Sequence, residues 1–375
     1  MKQERPILLL TNLRTENPTA RTIFEGLGRA YFEAGYPVLA AGPSVLLCHG
    51  RSAPIVRRPW GELHRLGGPS FALERRLRLA SRQITALTRR SRFVHLHFGC
   101  AADPTEAVKE VLERVPVPYA VTFQDYANPF YGDRSERAKR RLREVLRRCR
   151  WITALSPASA RLVAADFPEA AARLRVVPNG VDAEGAEAGI TERRRRLGPY
   201  VLCLSRQAVF KGIDILIMAW ADAIKNGVRA RLLVCGPDDT PGHYKRLAKL
   251  LGAANFIRFC GEVSKEGARR LIDGARFCVL PSRHEAFGMA ALEAMSRGKA
   301  VVATRSGGPE SFVEDGVSGL LVPPGDVDAL RGAMERLMRD GGLRRKLGRA
   351  ARVRANRYSW SRAAKDYLSF FRGAD

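Results

Sequence analysis

Acidic residues are scarce in this chain: 38 Asp and Glu stand against 64 Lys and Arg, a formal net charge of +26 over 375 residues. An excess this large creates a long-range positive potential that draws anionic partners. Long apolar runs are missing too. None approaches the roughly 20 residues that cross a bilayer. The opening Met1-Lys2-Gln3-Glu4-Arg5 precedes an apolar stretch too short for a signal peptide, so the cytoplasm is the expected compartment. Cysteine is sparse and scattered. Cys48, Cys100, Cys149, Cys203, Cys235, Cys260 and Cys278 are odd in number and show no Cys-x-x-Cys spacing, which argues against a disulfide framework or a zinc site. Several lie in apolar runs and read as small hydrophobes. No helix-turn-helix, zinc-finger or RNA-binding aromatic signature occurs, so charge alone makes no case for nucleic acid.

What is present is a regular alternation of short apolar runs with longer amphipathic stretches, the pattern of parallel sheets covered by helices. Strands are expected first at Pro6-Leu10, Pro37-Ala41, Phe93-Phe98, Tyr119-Phe123, Trp151-Leu155 and Leu174-Val177. A second series follows at Tyr200-Leu204, Arg231-Cys235, Phe256-Cys260, Phe277-Leu280, Ala300-Ala303 and Gly319-Val322. Between them, Pro178 to Asp182 and the small residues Gly185 to Gly189 read as a linker. Two α/β domains so joined imply a cleft, with ligands outside the carboxyl ends of the strands.

Candidate functional residues follow the strands of the second series. Tyr200-Leu204 runs into Ser205-Arg206, and Lys211-Gly212 opens the next amphipathic stretch. Arg206 and Lys211 are suited to a diphosphate leaving group, which gains charge as its bond to a sugar breaks. The stretch from Phe277 to Gly298 is more specific: a strand ends at Pro281, a loop carries Glu285 and Gly288, and a helix presents Glu293. Gly288 allows close approach to the free N–H groups of the helix start. A carboxylate has two acceptor oxygens, so Glu293 fits a pair of ribose hydroxyls and Glu285 fits sugar hydroxyls. Taken singly, each acid also reads as surface charge, with Glu293 paired to Arg297 four residues on.

Glu285-Ala-Phe-Gly288 with Glu293 resembles the E-x7-E motif of retaining GT-B glycosyltransferases of the family 4 group. Supporting segments stand in that group's order: Leu204-Ser205-Arg206 with Lys211-Gly212, Leu233 to Pro237, Phe259 to Val263, Gly307 to Glu310 and Gly316 to Gly325. The resemblance implies an α/β GT-B fold, two Rossmann-like domains facing each other across a cleft. Their expected bounds are 1–182 on the acceptor side, 183–355 for the nucleotide-sugar, and 356–375 for a terminal helix crossing back. It implies that Arg206 and Lys211 hold the donor diphosphate, and that Glu285 contacts the transferred sugar with Phe287, Gly288 and Met289 around it. Glu293 then binds the ribose, and Gly261 to Val263 lie beside the base. The implied reaction moves a hexosyl group from a nucleotide-sugar such as a UDP or GDP sugar to a glycan or lipid-linked acceptor of the cell envelope. It proceeds with retention and without metal or other cofactor.

The first half matches in His95-Leu-His97-Phe98-Gly99, Val121-Thr122-Phe123, Ala154-Leu-Ser156 and Val176 to Asp182. His95 and His97 have no carboxylate or Cys at ligand spacing, so a structural or acceptor-side role is expected. Two departures stand out. The loop from Asn12 to Ala20 lacks the group's usual Gly-Gly pair, and Gln124-Asp125 replaces the usual His-Gly, so no proton carrier stands at 124. Asp125 is open to a role as substitute base or as a loop charge. These departures motivate a rival reading, a non-catalytic sugar-nucleotide-binding subunit. Basic stretches at Phe71 to Arg92 and Arg134 to Arg150 are read either as docking to an anionic membrane, on its inner face, or as solvated surface.

Overall fold

A computed structural model describes residues 5–11, 18–42, 55–59, 61–65, 73–98, 117–126, 135–182 and 198–372. The chain packs as two compact units. One comprises Met1–Gly180 with Trp360–Asp375, the other Val181–Ser359.

The first unit holds β1 (Ile7–Thr11), β2 (Val38–Gly42), β3 (Ile55–Arg58), β4 (Gly61–Arg65), β5 (Phe93–Phe98), β6 (Tyr119–Phe123), β7 (Trp151–Ala154) and β8 (Leu174–Val176). They form one sheet in the order β3-β4-β2-β1-β5-β6-β7-β8, parallel except for the β3–β4 pair. Ile7, Leu8, Leu9 and Leu10 are all at most 1% exposed, as befits a strand covered on both faces. The β3–β4 hairpin does not show as a run of apolar residues in the sequence. Its Arg57, Arg58, Glu62 and His64 break up the hydrophobic signal, and an edge position tolerates charge. Helix Trp360–Arg372 completes this unit: the Trp151 indole N–H donates to the Phe370 carbonyl at 2.7 Å, and the Tyr367 ring meets His95 at 4.4 Å between centroids.

The second unit holds β9 (Tyr200–Leu204), β10 (Arg231–Cys235), β11 (Ile257–Gly261), β12 (Cys278–Leu280), β13 (Val301–Thr304) and β14 (Leu320–Val322). Its sheet is wholly parallel in the order β11-β10-β9-β12-β13-β14. The chain starts at β9, builds outward through β10 and β11, then returns to build β12 to β14 on the other side. The direction reverses between β9 and β12, the switch point where open α/β sheets bind ligands. Below it, helix Ile213–Lys225 packs Ile213, Leu216, Ile217 and Trp220, each fully buried, against the sheet. Of the expected linker, Pro178 to Asp182 are described, while Gly185 to Gly189, like residues 12–17, lie outside the described residues.

Candidate active site

The loops after β9 and β12 meet at the switch point of the second unit. After β9 a short turn, Val209–Lys211, delivers Lys211, and after β12 the chain carries Ser282, Arg283 and Glu285. Arg283 stitches the two loops together. Its guanidinium donates to both Asp214 oxygens at 2.7 Å and to the Val209 carbonyl at 2.7 Å, while its backbone N–H donates to Phe210 O at 2.8 Å. Burial would raise the Asp214 carboxyl, but the Arg283 guanidinium outweighs it and holds the group below its ordinary value.

So braced, Lys211 Nζ reaches Glu285 Oε2 at 2.6 Å, and the Ser282 hydroxyl donates to the same oxygen at 3.1 Å. The side chains are 18% and 13% exposed, so this is a largely desolvated ion pair that still opens to solvent. The Glu285 backbone is fixed as well. Its N–H donates to Ser306 O at 3.0 Å and its carbonyl accepts from Gly308 N–H at 2.7 Å. This approach needs a glycine: a Cβ on Gly308 would lie 2.3 Å from Phe287 Cα. Arg206 stands at the end of β9 and donates to both oxygens of Asp239, at 2.9 and 3.1 Å, in a partly exposed pair.

Helix Met289–Ser296 begins directly behind Glu285. Gly288 takes φ 99°, a left-handed conformation that side chains disfavour. Phe287 and Met289 flank this turn as buried residues, Phe287 backed by Phe312 at 5.3 Å between centroids. Glu293 projects from the helix. It is not held by Arg297, whose guanidinium pairs instead with the buried Asp273 carboxylate. Although some of its surface reaches solvent, burial pushes the Glu293 carboxyl up to about 7; Lys265 and Arg269 oppose the rise and Asp182 adds to it. Those cations sit on helix Lys265–Gly274 and share Asp182, at 3.3 and 3.2 Å. Gly261 (φ 67°) ends β11, and the half-buried Val263 lies on the short connection from it into that helix.

In the first unit the carboxyl ends of β5 and β6 carry neutral polar groups. His95 Nδ1 meets the Tyr31 hydroxyl at 3.0 Å and His95 Nε2 meets Thr122 Oγ1 at 2.7 Å, which in turn meets Thr153 Oγ1 at 2.6 Å. Asn179 donates to Gln124 Oε1 at 3.1 Å, and Gln124 Nε2 faces His97 Nδ1 at 2.9 Å. An amide nitrogen only donates, so this orientation makes His97 Nδ1 an acceptor and leaves the ring proton on Nε2. Burial pushes His97 down to about 3 and His95 well below its ordinary value, so both rings are neutral. Asp125 is half-buried beside them in sequence. Among the described residues, no three His, Cys, Asp or Glu side chains gather as a metal-ligand set.

The structure thus brings Lys211, Glu285, Gly288, Phe287 and Met289 together, with Glu293 on the adjoining helix and Arg206 at the next strand end. Asp214, Asp239 and Arg283 are not marked out by the sequence as partners, because nothing in their local spacing announces contacts made 33 to 74 residues away, and Ser282, only three residues before Glu285, sits in a loop whose spacing is not specific.

Two Rossmann-like units with parallel sheets, the second carrying its charged residues at the switch point, define the GT-B class. Residues 192–354 match the family model described as Glycosyl transferases group 1, and residues 27–184 match Glycosyltransferase Family 4; the chain belongs to this glycosyltransferase group. A D-inositol 3-phosphate glycosyltransferase of Acidothermus cellulolyticus is 36% identical over 217 residues, covering 54% of this chain and 48% of that protein. An alpha-D-kanosaminyltransferase of Streptomyces kanamyceticus is 31% identical over 191 residues, 50% of each. The chain spans about half the length of the curated relatives it matches. In fold it resembles sucrose-phosphate synthase from Thermosynechococcus elongatus (TM-score 0.80, 22% identity, 99% of each chain covered). It also resembles Anabaena HepE, solved with UDP and glucose (TM-score 0.80, 19% identity, 98% of this chain and 100% of that one).

Proposed function

We propose that this chain is a glycosyltransferase that takes a hexosyl group from a nucleotide-sugar held by its second unit. The Lys211–Glu285 pair at the switch point carries the reading. Lys211 and Arg206 meet the diphosphate and stabilise the charge that grows on it as the sugar bond breaks, without a metal. To do so they exchange Glu285 and Asp239 for phosphate oxygens, and the freed Glu285 accepts from sugar hydroxyls beside Phe287, Gly288 and Met289. Glu293 takes the two ribose hydroxyls, with Gly261 and Val263 beside the base. The bond from the sugar to the diphosphate breaks, a bond to the acceptor oxygen forms on the same face, and the leaving diphosphate takes the acceptor proton. That course retains configuration.

The acceptor in this proposal is a glycan or lipid-linked hydroxyl on the side of the first unit, near His97, Gln124 and Asp125. Helix Glu136–Arg148 supports docking to an anionic membrane: Arg137, Arg140, Arg147 and Arg148 are exposed, while Val145 and Leu146 are buried. Among the described residues no helix is long and apolar enough to cross a membrane. A second reading, a sugar-nucleotide-binding subunit without catalysis, is favoured by Gln124: it is fixed between His97 and Asn179 and carries no proton.

The test is a calorimetric and hydrolysis screen of UDP-, GDP-, ADP- and TDP-sugars on the wild type and Glu293→Ala. Binding of one donor, lost in the variant, with release of nucleoside diphosphate supports a transferase. Binding without release, even with candidate acceptors added, supports the subunit. No binding by any donor overturns both.

A further inference from the structure

The second unit carries a pair of thiols that the site above does not use. β10 and β11 lie at one edge of the sheet, and their register slips: Val234 stands opposite Phe259, but Cys235 stands opposite Gly261. Cys260 is therefore the extra residue of a bulge. A bulge re-aims the side chain it carries, and the Cys260 thiol stands near enough to Cys235 to raise it above its ordinary value. Parallel strands about 4.8 Å apart, with a rise of about 3.3 Å per residue, put Cα atoms one step out of register about 6 Å apart, the span a disulfide bridges.

The two thiols differ in access. Cys260 is half-buried on the edge strand, whereas Cys235 is 1% exposed. The neighbouring Cys260 thiol and burial raise the Cys235 thiol above its ordinary value, and the nearby Arg258 guanidinium opposes the rise. An accessible sulfur backed by a buried resolving thiol is suited to thiol–disulfide exchange. Cys149, Cys203 and Cys278, at 2%, 0% and 7% exposed, offer an oxidant no accessible sulfur of this kind.

We propose that Cys235 and Cys260 form a dithiol site that a low-molecular-weight disulfide, such as glutathione disulfide, oxidises to an intramolecular disulfide. The Cys260 thiolate attacks one sulfur of the oxidant, forming a mixed disulfide and releasing one glutathione. The Cys235 sulfur then attacks the Cys260 sulfur, forming the protein disulfide and releasing the second. Two protons and two electrons pass from the cysteines to the two glutathione thiols. The bond joins β10 and β11 just before Gly236 and Gly261, whose backbones already meet at 2.8 Å. The inference does not depend on the function proposed above.

The full chain is exposed to glutathione disulfide under native conditions, and its thiols are titrated and its unreduced peptides mapped by mass. The expected result is the loss of two thiols per chain and a linked peptide joining Cys235 to Cys260, reversed by dithiothreitol. Cys260→Ser should block the link, and Cys235→Ser should stop the reaction at a glutathione adduct on Cys260. A wild-type map in which both residues remain thiols, or in which Cys260 carries only glutathione, overturns the proposal whether or not the variants fold.

Discussion

The second unit ends its central strands in ions; the first ends them in neutral hydrogen bonds. At β9 and β12, Lys211 with Glu285 and Arg206 with Asp239 are pairs of opposite charge that keep some contact with solvent. At β5 and β6, His95, His97, Gln124 and Thr122 are buried, 0 to 7% exposed, and linked by short hydrogen bonds. The same sheet plan thus serves two uses. Charges that stay in reach of water can exchange one anionic partner for another, as a phosphate-binding site must. A buried neutral chain cannot take up an ion without a large desolvation cost, so it fixes geometry instead.

The strongest way to break this comparison is Lys211→Ala. It leaves Glu285 as an unpaired, largely buried carboxylate and removes the cation for the diphosphate. Transfer should fall by about 100-fold or more, on the order of 3 kcal/mol, in a nucleoside-diphosphate release assay. An unchanged rate would falsify the assignment of the switch point as the donor site.

Next in size is Gly308→Val. The side chain would collide with the Phe287 backbone, and overpacking of this kind costs about 1–3 kcal/mol. A lowered thermal midpoint for the second unit, with weakened nucleotide binding, is the expected outcome, measured by calorimetry with and without UDP.

The neutral network makes its own prediction. Because burial depresses His97 to about 3, the unfolded chain binds a proton near pH 6.5 that the folded unit refuses. The stability this contributes is present above pH 6.5 and is lost as pH falls toward 3. By pH 5 the loss is about 2 kcal/mol from this residue. Hydrogen exchange followed from pH 7 to 5 should show it in β5 and β6; equal acid sensitivity in β9 and β12 would blur the contrast.

The smallest effect concerns Glu293. Its carboxyl is raised to about 7, and an acceptor pair for ribose hydroxyls needs the ionised form. If binding expels that proton, nucleotide affinity should climb by up to about tenfold per pH unit below 7 and flatten above 8. In Glu293→Gln the slope should vanish, which titrations at several pH values would reveal. The raised group also makes the fold itself less stable as pH rises from its ordinary value of 4.5 through 7.

Much of this was legible in the chain. The strands expected at Phe93-Phe98, Tyr119-Phe123, Tyr200-Leu204 and Arg231-Cys235 appear with those bounds, because strands buried on both faces read as nearly continuous apolar runs. The edge hairpin at Ile55–Arg65 was not legible, since Arg57, Arg58, Glu62 and His64 interrupt its apolar pattern. Glu285, Gly288 and Glu293 were found from their spacing along one loop and helix. The pairing of Glu293 with Arg297, an equally good reading of i and i+4, was refuted by Asp273, which lies 24 residues before Arg297.

Sequence by itself determined two largely parallel sheets, the order along the chain of all their strands but the edge hairpin, and which residues follow those strands, since burial period and loop composition are local properties. Only the tertiary structure decided which charges meet: Lys211 with Glu285, Arg283 with Asp214, Arg206 with Asp239, and Gln124 between His97 and Asn179. Those choices depend on which strands lie side by side and on how much water remains between them, and neither distance through space nor desolvation is written in the spacing of residues along a chain.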